Sequence, residues 1–89
     1  MLIQTVTIIN KLGLHARAAA LFAKTAAQYS SQIKVGLKGK QVDAKSVMSL
    51  MLLAANQGTE IILEAEGDDQ QEAMEAIVAV INNRFNEAE

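Results

Sequence analysis

Gln32-Ile33-Lys34-Val35-Gly36-Leu37-Lys38-Gly39-Lys40-Gln41-Val42 is the stretch on which the fold turns. Ile33, Val35 and Leu37 alternate with Gln32 and Lys34, the period-two signature of a strand with one buried face. Lys38-Gly39 offers a two-residue turn into a second short strand, Lys40 to Val42, so the pair reads as a hairpin. A strand pair buried on one side needs a cover, and the flanking segments supply it as helices. Upstream, Ala16 to Gln28 places Ala19, Phe22, Ala23 and Ala26 at helical spacing before Tyr29-Ser30-Ser31 ends the pattern. Downstream, Ser46 is a good cap for a short helix over Val47 to Ala54, halted by Asn56-Gln57-Gly58.

Two further strands frame this centre. Leu2 to Ile9 is rich in β-branched residues and is broken by Asn10-Lys11-Leu12-Gly13. Thr59 to Glu66 turns Ile61, Leu63 and Ala65 inward and Glu60, Glu64 and Glu66 outward. Asp69 then caps a long helix, Glu72 completes a start resembling a capping box, and Ala73, Ala76, Ile77, Val80 and Ile81 form its apolar stripe. The polar tail from Asn82 to Glu89 is expected to fray. The order is β-α-β-β-α-β-α. The economical solution is a two-layer α+β fold, a four-stranded antiparallel sheet with its helices on one face, in a single domain over residues 1–89.

Composition narrows the function. The chain has 89 residues, 51% of them hydrophobic, enough for one thin core. Cysteine is absent, which excludes disulfides and thiolate metal sites and fits a reducing, cytoplasmic setting. With one histidine and no cysteine no metal site is expected, and helix capping accounts for Asp68, Asp69 and Glu72. No run approaches the roughly 18–20 apolar residues of a membrane span, and Met1 to Val6 does not read as a signal peptide. The net charge is −2, with scattered Lys and Arg, one Tyr, two Phe and no Trp, so nucleic-acid binding is not expected.

The starts of the first and last helices differ. The last has Asp68, Asp69 and Glu72, carboxylates that suit free amides and the positive end of a helix dipole. The first reads Gly13-Leu14-His15-Ala16-Arg17-Ala18: a poor cap, a cation where the dipole is already positive, and no acid within the helix. Such a start asks for an anion, and phosphate is the natural one. The backbone amides of Ala16, Arg17 and Ala18 and the Arg17 side chain would hold it. His15 adds a nucleophilic nitrogen that attacks phosphorus as the neutral ring. Gly13 permits close backbone approach at the corner.

Asn10-Lys11-Leu12-Gly13-Leu14-His15-Ala16-Arg17-Ala18-Ala19 resembles the active-site segment of the HPr family, the histidine phosphocarriers of the phosphoenolpyruvate-dependent phosphotransferase system, including nitrogen-branch relatives. The resemblance continues through Lys45-Ser46-Val47-Met48-Ser49-Leu50, Gln57-Gly58-Thr59 and Glu64-Ala65-Glu66-Gly67, so it covers essentially the whole chain. It implies the HPr-like open-faced β-sandwich. It also implies that His15 accepts phosphate from enzyme I on Nδ1 and passes it to an enzyme IIA domain, in sugar uptake or nitrogen regulation, with Arg17 touching the phosphoryl group. No cofactor bound to the carrier itself is implied, and a monomer is expected. The family usually carries proline where Ala18 stands; alanine gives up a preset φ and adds a donor at the first turn.

Val47, Met48, Leu50, Met51, Leu52 and Leu53 cannot all face one core from so short a helix. Val47, Leu50 and Ala54 suit one face, with Met48, Met51, Leu52 and Ala55 spread over another. An exposed, methionine-containing patch suits several partners. By resemblance Val47, Met48, Met51 and Leu52 would dock enzyme I and IIA domains, together with Ala20 and Lys24 of the first helix. Ser46 is sufficiently explained as a cap, and by resemblance it is also a regulatory phosphosite for an HPr kinase. A reading from another class is a non-catalytic regulatory module that binds an anion or a phosphorylated partner at the first helix start.

Overall fold

The computed structural model describes residues 1–88. The elements run β1 (Leu2–Thr7), α1 (Ala16–Ala27), β2 (Gln32–Leu37), β3 (Lys40–Asp43), α2 (Val47–Leu53), β4 (Glu60–Glu66) and α3 (Gln70–Asn82), followed by a short turn over Arg84–Asn86. The four strands form one antiparallel sheet in the order β1-β4-β2-β3. The expected β-α-β-β-α-β-α order and two-layer architecture are therefore present, with element ends displaced by one or two residues.

The β2–β3 hairpin turns where expected. Lys38 and Gly39 both take left-handed φ, +50° and +81°, the conformation whose twist matches that of the flanking strands. Register follows the alternation: Val35 opposes Val42, and Leu63 of β4 lies opposite both Gln4 and Val35. Ile33, Val35, Ile61, Leu63 and Ala65 are buried beneath the helices. Ala18, Ala19, Phe22, Ala23 and Ala26 of α1 cover them together with Ala73, Met74, Ile77 and Ile81 of α3. Through this alanine-rich face α1 packs against α2 and α3, and α3 lies over β1 and β4.

Three expectations need correction. In α2 the buried pair is Leu50 and Leu53, three residues apart on one face, while Val47 is partly exposed and Ala54 exposed; Ala55, expected to be outward, is buried. The helix ends because Ala54 turns left-handed, φ +55°. At α3, Asp69 occupies the cap position but makes no capping bond. Its carboxylate instead accepts from the backbone N–H groups of Ser30 and Ser31, each at 2.9 Å, and from the Ser31 hydroxyl, tying the exit of α1 to the entry of α3. Those bonds, the Ser31 hydroxyl first and the Ser30 amide next, hold its carboxyl below the ordinary 3.8.

The tail supplies the third correction. The tail expected to be loose is docked at Phe85 and Glu87, and Glu89 lies outside the described residues. Phe85 is 2% exposed and stacks on Phe22 with ring centroids 6.2 Å apart. Arg84, Phe85 and Asn86 all take left-handed φ, +55°, +53° and +63°, at a cost of about 1–2 kcal/mol for each non-glycine residue. Burial of the Phe85 ring, worth about 1.5–3 kcal/mol, offsets part of that cost. The turn redirects the chain so that Glu87 comes back over the start of α1.

Candidate functional site

His15 is the N-cap of α1, in extended conformation (φ −76°, ψ −179°) and without a side-chain capping bond. Its carbonyl takes the first helical bond, from the Ala19 N–H at 2.8 Å, so the amides of Ala16, Arg17 and Ala18 precede the ladder. No acid lies in the first turn. The corner before it is built by close approach. Gly13 has φ +68°, and a Cβ there would lie 2.5 Å from the Ala55 carbonyl oxygen. The Leu14 N–H donates to that same oxygen at 2.9 Å. The freedom of Gly13 thus serves to pack the corner onto the chain leaving α2.

The His15 side chain is 31% exposed. It lies at a shallow recess of about 680 Å³ lined by Lys11, Leu12, Ala16, Arg17 and Glu87 among others. Its Nε2 is hydrogen-bonded to Glu87 Oε2. The other carboxylate oxygen, Oε1, accepts from Asn10 Nδ2 at 3.0 Å, and the same Asn10 nitrogen donates to the Gly13 carbonyl at 2.8 Å. Asn10 is fully buried, and its own Oδ1 has no partner among the described residues. Burial pushes the Glu87 carboxyl up, but the hydrogen bonds from Asn10 and His15 and the charges of His15 and Arg17 together hold it below its ordinary 4.5.

Of the residues singled out from sequence, His15, Ala16 and Arg17 come together at this recess, while Ala18 turns its side chain wholly into the core. Ala20 and Lys24 are exposed along α1. Met48 and Leu52 are 73% and 76% exposed, and Val47 and Met51 are partly so, on a helix that packs against α1. Ser46 Oγ accepts from the Ser49 N–H at 3.2 Å, the expected cap. Sequence reasoning missed Asn10 and Glu87. A lone phenylalanine in an otherwise polar tail was the available signal, because an aromatic there is a reason for the tail to dock.

Among the described residues no group of three or more His, Cys, Asp or Glu side chains could hold a metal ion, and no helix is long and apolar enough to cross a membrane. An imidazole 31% exposed at a helix N-terminus, lining one recess with Arg17 next to amides outside the helical ladder, is an arrangement chemically suited to an anion. The family model described as the PTS HPr component phosphorylation site matches residues 2–83. The phosphocarrier protein HPr of Cupriavidus necator is 54% identical over 89 residues, covering both chains completely. That of Pseudomonas aeruginosa is 53% identical over 85 residues, 94% of each chain. Among solved structures, HPr-C-His from Thermoanaerobacter tengcongensis superimposes with a TM-score of 0.96 at 49% identity, covering 100% of both chains. The chain belongs to the HPr family, the phosphocarrier proteins of the phosphotransferase system.

Proposed function

We propose that His15 is the residue that carries the phosphoryl group, taking it on Nδ1 from enzyme I and handing it to an enzyme IIA domain. The observation that carries this reading is the position of the ring. His15 caps α1 with Nε2 engaged by Glu87 and lies at an open recess beside Arg17. The bond that forms is Nδ1–P and the bond that breaks is the donor's, its electron pair returning to the donor. The negative charge of the transferred group then lies near the Arg17 guanidinium and the amides of Ala16, Arg17 and Ala18, the electrostatic arrangement that phosphoryl transfer depends on.

Val47, Met48, Met51 and Leu52 of α2, with Ala20 and Lys24 of α1, form the docking surface in this reading. Exposed apolar side chains that have no use in the core support that role. The carrier acts as a cytoplasmic monomer with no bound cofactor, membrane insertion or nucleic-acid partner. A phosphate placed on Ser46 by an HPr kinase would alter this surface from its edge.

The test is intact-mass spectrometry after incubation with phosphoenolpyruvate, magnesium and enzyme I, with His15→Ala alongside. One added phosphoryl group, lost in acid and absent from the folded variant, is expected. A folded His15→Ala that is still fully phosphorylated would overturn the assignment. No adduct on the wild type, with an enzyme I active on another carrier, would favour a regulatory module that only binds anions.

A further inference from the structure

The tail brings a carboxylate from 72 residues away onto the ring that is to be phosphorylated, and three features make this contact a built one. Phe85 anchors the approach in the core against Phe22. Three successive left-handed residues set its direction. Asn10, buried and fixed to the Gly13 carbonyl, grips the second carboxylate oxygen. The ring, the carboxylate and a third group that orients the carboxylate form a relay of the kind that positions a nucleophile or base.

The chemistry of the partner decides which ring nitrogen reacts. An ionised carboxylate only accepts hydrogen bonds, so Nε2 carries a hydrogen, and in the neutral ring, the form that attacks phosphorus, the lone pair lies at Nδ1. We propose that Glu87, held by Asn10, is a positioning residue for phosphoryl transfer that fixes the His15 ring with Nε2–H bonded and Nδ1 free to attack. The proposal rests on the phosphocarrier reading given above. As the Nδ1 lone pair forms the bond to phosphorus, the donor's bond to phosphorus breaks and its electron pair leaves with the donor. The Nε2 proton stays on the ring, and no proton has to move. The positive charge that grows on the imidazole is met by Glu87 on the edge of the ring away from the incoming group, so the carboxylate does not oppose the phosphoryl oxygens directly.

Glu87→Gln is the test, because it keeps length and shape and removes the charge. Phosphoryl transfer from phosphorylated enzyme I is followed as a function of donor concentration, and the Nε2–H proton of His15 is followed by NMR. The expected result is a fall of about tenfold or more in the rate at saturating donor, an unchanged KM for the donor, a native circular-dichroism spectrum, and faster solvent exchange of the Nε2–H signal. An unchanged rate overturns the proposal. So does a faster rate, which would make the tail an inhibitory strap, and so does a loss confined to KM, which would make it a docking contact. If the wild type takes no phosphoryl group at all, the phosphocarrier reading and this proposal fall together. A competent wild type with an unaffected Glu87→Gln sinks this proposal alone.

Discussion

The N-termini of α1 and α3 face the same problem and solve it differently. Each helix begins without a side-chain capping bond at its cap residue, His15 in one and Asp69 in the other. At α3 acids are plentiful: Asp68 and Asp69 precede the helix and Glu72 lies in its first turn. Asp69 is drawn off to Ser30 and Ser31, where it holds two elements together, and Gln70 accepts from the Gly67 N–H at 3.2 Å. At α1 no local acid is present. The carboxylate there comes from the far end of the chain and binds the histidine ring. One helix start ties the scaffold together, whereas the other places a cation and amides outside the helical ladder around one histidine ring.

On this contrast, disturbing the corner of α1 should injure the fold, and removing its cation should injure only the chemistry. Gly13→Ala has the largest expected effect. It places a Cβ 2.5 Å from the Ala55 carbonyl oxygen at φ +68°, and a loss of about 3 kcal/mol is expected from strain and displacement together. Urea unfolding monitored by circular dichroism checks it, and an unchanged midpoint would mean that the corner repacks freely. Arg17→Ala comes next. Transfer should slow by about a hundredfold, the scale seen when one preorganised donor to a developing charge is removed. Stability should stay within about 0.5 kcal/mol, because the side chain is exposed. Single-turnover kinetics read the first effect and thermal unfolding the second. Unchanged kinetics would remove Arg17 from the site.

The same contrast explains what could be read from sequence. Strand alternation in β2 and β4 and the helical spacing of Ala19, Phe22, Ala23 and Ala26 are local signals, and they were legible because each element's buried face repeats with its own period. The short α2 was read less well. With seven residues it completes barely two turns, so the Leu50–Leu53 spacing competes with Val47 and Ala54, and only the packing of α2 against α1 settles which side is covered. His15 and Arg17 were legible through an absence, the missing acids of the first turn. The acid that does serve the site was invisible there, because no local rule links Asn10 to Glu87 across 77 residues. Polar composition marked the tail as loose, yet one buried aromatic side chain, Phe85, outweighs it.

The smallest effect belongs to the scaffold side of the comparison. Asp69→Asn keeps one carbonyl oxygen to accept from the Ser31 N–H but puts an NH2 where the Ser30 N–H needs an acceptor, and it removes the charge. Melting temperature should fall at neutral pH while phosphoryl transfer is unaffected, since the residue lies in the α1–α3 tie and not at the recess around His15. The pH dependence identifies the cause. The folded-state pKa of Asp69 lies below its ordinary 3.8, so the contribution of the charged form is fully present above that value and is lost as the pH falls through the folded-state pKa. The melting-temperature gap between wild type and Asp69→Asn should therefore be constant from neutral pH down to about pH 5 and should close in more acidic solution. A gap that persists at low pH would mean that Asp69 acts through shape alone, and a loss of transfer in this variant would mean that the two helix starts are coupled.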